Sequence, residues 1–273
     1  MRLAMTEGYN EQAMTIPIYQ VDAFTIGPFS GNPAAVCPLD AWLDDDAMQS
    51  IAAENNLAET AFIVAREDGY DLRWFTPTVE VDLCGHATLA AGFVVLNHLQ
   101  PNLNSVSFET VSGQLVVTRD GERLSMNFPA RPPTPAHASD ALSEALGQAP
   151  SEVHMSRDIL AVYDDEASVR ALSPDQAKLL ALDEGFGVIV TAEGDTVDFV
   201  SRFFVPKGGI DEDPVTGSAH CTLVPFWRER LGRSNLIAHQ ISARGGELHC
   251  EKKGDRVIMS GYCVLFLTGT IHL

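Results

Sequence analysis

The sequence predicts a mixed α/β (α+β) fold of two similar halves, each combining strands with a Gly-led helix buried on all sides. Three observations predict it. First, RWFTP…LCGHATLAAGFVVL is echoed by RFFVP…VTGSAHCTLVPFW. Phe75-x-Pro77 matches Phe204-x-Pro206 at an offset of 204−75=129, and Gly85-His86-Ala87 matches Gly217-Ser218-Ala219 at 217−85=132. A three-residue insertion within KGGIDED reconciles the two offsets. Second, Thr88 to Leu96 is apolar on nearly every side, so a helix there must be buried all round. Third, strand-like runs flank both copies, and a Pro-rich break, ARPPTPAHASD, lies between them as the candidate linker.

The elements follow in order. Residues 1–15 read as a flexible polar leader without an apolar signal core. Ile16 to Phe24 is a first strand, and GPFSGNPAAV is a tight loop marked by Gly27, Pro28, Gly31 and Pro33. DDDAMQSIAAENN places Met48, Ile51 and Ala52 at helical spacing after an acidic first turn, which suits the helix dipole. ETAFIVA and YDLRWFT are strands. After the buried helix, SVSFET, GQLVVTRDG and RLSMNFP form a strand and hairpin series, closing a first half over 16–130. The second half, 135–273, holds a short helix at ALSEALGQ, strands at DILAVYDD, FGVIVTAEG and DFVSRFFVP, and a helix at SPDQAKLLAL. Beyond the second Gly-led helix, IAHQISARGGELHCEKKGDRVIMSG reads as one strand and YCVLFLTGTIHL as the last, free to pack on the first half.

Composition narrows the function. With 273 residues, 45% hydrophobic and 20% charged, the chain can bury about three quarters of its unfolded surface. Eighteen basic against 37 acidic residues give a net charge of −19. That argues against nucleic acid and anionic membrane surfaces, which need clustered Lys and Arg. The cysteines Cys37, Cys84, Cys221, Cys250 and Cys263 are odd in number and form no C-x-x-C pair. Free thiols in a reducing cytoplasm are expected. No apolar run of about 18 residues predicts a membrane-spanning helix.

Several motifs carry chemistry. Cys84 and His86 with His220 and Cys221 make a nominal Cys/His quartet, but C-x-H and adjacent H-C do not match the spacing of tetrahedral zinc ligands, and no metal is expected. Ser218 lacks both glycines of a G-x-S-x-G nucleophile elbow. Gly85-His86 and Gly217-Ser218 instead open two buried helices. Glycine lets a ligand approach the backbone, and unpaired first-turn N–H groups can grip a carboxylate. The alternative is that Gly and Ser merely cap these helices. Two such N-termini facing one cleft suit a small-molecule carboxylate. Glu59 sits at the mouth of the apolar strand ETAFIVA. Partial desolvation there makes a carboxyl a better proton carrier near neutrality, whereas a solvated strand edge would leave it inert. Asp213, in DEDPVTG, precedes Pro214 and the second Gly-led helix, so it can point at the same cleft. Cys84 lacks a matching second thiol, because Thr216 holds the corresponding place; it reads as a buried structural thiol.

Four ordered stretches, VDAFTIGPFSGNPAAVC, ETAFIV, WFTPTVEVDLCGHATLAAG and DEDPVTGSA, together with the closing SGYCVLFLTGTI, resemble the PhzF family of phenazine-biosynthesis isomerase-like proteins. The resemblance implies a diaminopimelate epimerase-like fold: two halves, each a barrel-like sheet round a central helix, with the site between them. It implies a cofactor-free isomerase, functioning as a homodimer, in which a glutamate moves a proton along a dihydro-hydroxyanthranilate ring. By that resemblance Glu59 is the proton carrier and His86, Asp213 and Ser218 are the matching site residues; with the helix-start reading above, Glu59, His86 and Asp213 are expected to be catalytic and Gly85, Gly217 and Ser218 to bind substrate. The missing second cysteine separates the chain from the epimerases that use paired thiols. A competing class is a non-catalytic ligand-binding or scaffold protein that kept the fold, but such a protein has no need to keep all four polar residues.

Overall fold

The computed structural model describes residues 14–273. The expected leader therefore lies almost wholly outside the described residues. The first half runs β1 (Thr15–Ala23), β2 (Asn32–Leu39), α1 (Asp45–Asn55), β3 (Glu59–Arg66), β4 (Gly69–Phe75), β5 (Glu80–Val81), α2 (Gly85–Val94), β6 (Ser105–Glu109), β7 (Leu115–Asp120) and β8 (Arg123–Pro129). The Pro-rich stretch carries a short strand, β9 (Thr134–Ala136). Then come α3 (Asp140–Leu146), β10 (Glu152–Met155), β11 (Ile159–Val162), α4 (Glu166–Ala171), α5 (Gln176–Leu180), β12 (Val188–Glu193), β13 (Phe199–Val205), β14 (Ile210–Asp213), α6 (Gly217–Leu231), β15 (Asn235–Gln240), β16 (Gly246–Lys253), β17 (Arg256–Gly261) and β18 (Cys263–His272).

Register shows the duplication directly. In the first half β2 and β3 are parallel, β3 and β4 antiparallel, and β4 and β6 parallel. In the second half β11 and β12 are parallel, β12 and β13 antiparallel, and β13 and β15 parallel. Phe75 pairs with Thr60 and Glu80, while Phe204 pairs with Val188 and Glu212. The ion pair between Arg73 and Glu80 (2.7 Å) recurs between Arg202 and Glu212 (2.8 Å). Val117 pairs with Met126, and Cys250 with Met259. Met126 and Met259 then pair with each other where β8 meets β17, so an approximate two-fold axis runs between them.

Each half packs strands on its central helix. The helix α2 packs against β1, β2, β3, β7, β8 and β18, and α6 against β15, β16 and β17. Every α2 residue from His86 to Gly92 is buried, as an apolar helix without a polar face requires. One core cluster joins residues of both halves, from Val21 and Phe108 to Trp227 and Met259. On its outer side the second half adds a cluster under α3, α4 and α5, and the first half one under α1, where Met48, Ile51 and Ala52 are buried. The last strand, β18, pairs antiparallel with β1 of the first half from His272 back to Cys263. The short β9 stands in the same relation to β10.

Some elements differ from the sequence reading. The stretch taken as one strand after α6 is three strands, β15 to β17, because the chain reverses at residues 241–245 and 254–255. The loop GPFSGNPAAV closes at Gly31, and Asn32 already begins β2, where Pro33 pairs with Asp22. The buried helix starts at Gly85, as the Gly-led reading has it, but ends in a π-helical turn, Val95–Leu99. The strand β10 and helix α4 are too short to show a periodicity.

Candidate active site

The sequence words that suggested two helix N-termini lead to one place. Gly85 opens α2 after Cys84, and Gly217 opens α6 after Thr216. Neither N-cap side chain bonds its helix. A Cβ added to Gly85 would lie 3.7 Å from the Gly217 Cα, and one on Gly217 would lie 3.8 Å from the Gly85 Cα. The two N-termini therefore meet head to head, with their positive dipole ends and first-turn N–H groups brought together.

Glu59, His86 and Asp213 gather beside that meeting point. The His86 imidazole is buried at the second position of α2, and Glu59 begins β3 with its side chain 17% exposed. Nε2 of His86 lies 3.0 Å from Oε2 of Glu59. The contact is an ion-pair distance rather than an aligned hydrogen bond, and neither atom has an aligned partner. Burial opposes a charged imidazole here, but the sulfur of Cys84 and the carboxylate of Glu59 outweigh it, so His86 titrates well above the usual histidine range. Asp213 ends β14. Burial pushes its carboxyl up to about 6, against the opposing pull of His86.

Asn32, to which the sequence reading assigned no role, joins these groups. Its Nδ2 donates to Oδ1 of Asp213 (2.7 Å) and to the Val215 carbonyl (3.0 Å), and lies 3.1 Å from Nδ1 of His86. Because the first two are pure acceptors, the amide nitrogen must face them, and its two N–H groups are taken up there beside the His86 ring. Thr216 and Gln240 complete the support. Thr216 Oγ1 donates to Oδ2 of Asp213 (2.5 Å), and the buried Gln240 amide accepts from the Thr216 N–H (2.8 Å) and donates to the Asp213 carbonyl (2.7 Å). The only sequence signals were an amide just after Gly31 and another at a strand end. Neither side chain titrates, so neither stood out.

Ser218 is part-exposed at the second position of α6, the place His86 holds in α2. The duplication is chemically unequal. Register puts Gly187 where the first half has Glu59, and its N–H is taken by the buried Asp158 carboxylate (3.0 Å). The nominal Cys/His quartet is not assembled. His220 turns its Nδ1 to the Thr216 carbonyl (2.7 Å), packs tilted at 5.9 Å against Phe199 and is pushed down to about 4 by burial. Cys84 is pushed up to about 11 by burial and by Glu59, so it is a thiol at neutral pH. All five cysteines are free. No helix among the described residues is long and apolar enough to cross a membrane.

Comparison with known proteins gives the family and the fold. The family model for phenazine biosynthesis-like proteins, PhzC-PhzF, matches residues 21–269. The chain belongs to the PhzF family. An uncharacterized isomerase of Pseudomonas aeruginosa is 54% identical over 260 residues, covering 95% of this chain and all of that protein. The crystal structure of a PhzF-family protein from Enterococcus faecalis superposes with a TM-score of 0.94 at 49% identity, over 95% of this chain and all of that one. A hydroxyproline epimerase of Agrobacterium vitis shares the fold alone, with a TM-score of 0.60 at 9% identity over 95% of this chain and 93% of that one. The fold is thus the epimerase-like one expected for a PhzF protein.

Proposed function

We propose that this PhzF-family chain is a cofactor-independent isomerase that moves a proton between two carbons of a small carboxylated metabolite, amino-bearing or cyclic. One observation carries the reading: Glu59 and His86 meet at 3.0 Å beside two facing helix N-termini. Glu59 takes a proton from an activated C–H, the electron pair moves into the adjoining π system, and the proton returns at another carbon, leaving the ketone in place of the enol. His86 and Asp213 orient the amino, hydroxyl or carboxylate groups of the substrate. Ser218 and the first-turn N–H groups at Gly85 and Gly217 hold the carboxylate. The free thiols support a cytoplasmic setting. A homodimer is proposed by family analogy and is checked by light scattering.

The test is proton NMR in D₂O with dihydro-hydroxyanthranilate, comparing the native chain with Glu59→Gln. Isomerisation with deuterium incorporation by the native chain, lowered roughly 10²- to 10⁴-fold in the variant, is expected of a general acid–base catalyst. Equal turnover by the two would sink the assignment of Glu59.

A further inference from the structure

We propose that Arg244 is a positioning residue that holds Asn32, from the first half, against Asp213 of the second. Arg244 lies in the turn of residues 241–245, between β15 and β16. Its guanidinium crosses to the first half. Nε donates to the Gly31 carbonyl (2.8 Å), and Nη2 donates to the Ser30 carbonyl (3.1 Å) and to Oδ1 of Asp22 (2.9 Å). Oδ2 of Asp22 accepts the Phe29 N–H (3.2 Å). The Gly31 N–H donates to the Gly245 carbonyl (2.7 Å). Both backbone groups of Gly31, the residue before Asn32, are thus taken by one turn of the other half.

The same turn grips the segment that carries Asp213. Ser242 Oγ donates to the Pro214 carbonyl (2.8 Å) and accepts the Gly245 N–H (3.1 Å), and Gln240, just before the turn, donates to the Asp213 carbonyl (2.7 Å). Residues 240–245 are therefore a bracket, with Asn32 on one arm and Asp213 on the other. Pairing with β1 places Asn32 opposite Ala23, which fixes it within the first half alone. Its bond to Asp213 (2.7 Å) joins the halves, and the bracket sets that distance. A guanidinium fork serves two carbonyls and a carboxylate at once, whereas the single ammonium of lysine does not. Besides Asp22, the charged groups around Arg244 are Arg170, His239 and Glu247, which line the same cavity of about 280 Å³; His239 pairs with Glu247 and Arg170 with Glu166. The charged groups facing Asp213 are His86 on α2 and Glu59 on β3. Arg244 therefore acts on Asp213 through Asn32. Asp213 counts as a working group on the function proposed above, but holding Asn32 against it does not depend on turnover, and neither does the test.

In the full chain, labelled at aspartate, the carboxyl carbon of Asp213 is assigned with Asp213→Asn and titrated by NMR. The Asn32 hydrogen bond holds this carboxyl down against burial. Asn32→Leu marks the full upward shift, roughly one to two pH units for a lost hydrogen bond to a charged group. Arg244→Gln should move the titration up by at least about half a pH unit, and so should Arg244→Lys, although it keeps the charge. Added to Asn32→Leu, Arg244→Gln should shift it no further, because both act on one bond. Asp22→Asn combined with Arg244→Gln serves the same purpose if the single variant melts early, since it leaves no buried carboxylate unpaired. An unshifted carboxyl in Arg244→Gln overturns the proposal, as does a native titration in Arg244→Lys or a shift that adds in full to that of Asn32→Leu.

Discussion

Gly85 and Gly217, 132 residues apart, face each other across the approximate two-fold axis at a separation that leaves room for little more than a methyl group between their helices. The same axis passes between the paired Met126 and Met259. A site on such an axis receives one helix N-terminus from each half. The copies can then diverge in side chains, with His86 opposite Ser218 and Cys84 opposite Thr216, while the shared backbone amides stay in place.

This relationship predicts the outcome of Gly217→Ala. The new methyl would stand at an ordinary contact distance, 3.8 Å, so the fold is kept, and alanine favours the helix. The methyl would nevertheless fill the gap through which a carboxylate reaches the N–H groups. Melting temperature should hold or rise, while affinity for a carboxylated ligand falls roughly ten- to hundredfold, the worth of a charge-assisted hydrogen bond. Calorimetry beside thermal melting checks both, and unchanged affinity would contradict the anion grip.

Asn32→Leu should act on the acid limb of the pH–rate profile. The Asn32 hydrogen bond lowers the Asp213 pKa against the larger effect of burial. Removing it raises that pKa further, so an activity that needs the Asp213 carboxylate loses its acid side at higher pH than in the native chain. Stability should also fall by about 1–3 kcal/mol, because two buried acceptors lose their donor. A profile that keeps its acid limb while stability falls would leave Asn32 a purely structural role.

Stability carries the mark of Asp213 as well. Its carboxyl titrates at about 6 in the folded chain against an ordinary 3.8. The folded state therefore binds the proton more tightly. The group's contribution is fully present below about pH 3.8 and is lost as pH rises through about 6. Asp213→Asn removes this loss, so the variant should gain melting temperature over the native chain between pH 4 and pH 8. A difference that does not change with pH would argue against a carboxyl strained by burial.

The repeated ion pair gives an internal control. Arg202 and Glu212 are 14% and 20% exposed and Arg202 also donates to the Leu172 carbonyl at 2.7 Å, whereas Arg73 and Glu80 are 26% and 39% exposed. Glu212→Gln should cost on the order of 1–3 kcal/mol in urea unfolding and Glu80→Gln less than about 1 kcal/mol. Equal costs would mean that burial does not set the value of this pair.

Much of this was legible in the sequence. The apolar wrap of Thr88 to Leu96 shows a central helix because no face of it can meet water. The Phe-x-Pro and Gly-led words show the duplication because both halves need the same turn and the same bare helix start. Glu59, His86, Asp213 and Ser218 stood out because ionisable and hydroxyl side chains beside apolar strands and helix starts are physically conspicuous. The strand boundaries after α6 are marked by Gly245-Gly246 and Gly254-Asp255, turn residues that the single-strand reading passed over.

What only the tertiary structure decided is which distant groups touch. Asn32 reaches Asp213 across 181 residues, and Glu59 meets His86 off the hydrogen-bond axis. The first contact joins the halves and depends on β8 pairing with β17 and on α2 and α6 meeting at the axis, whereas the second lies within the first half and depends on α2 packing against β3. Periodicity, turns and caps are set by neighbours in the chain, and those the sequence determined by itself. Pairing between halves is set by the shape of two finished surfaces, which no local pattern records.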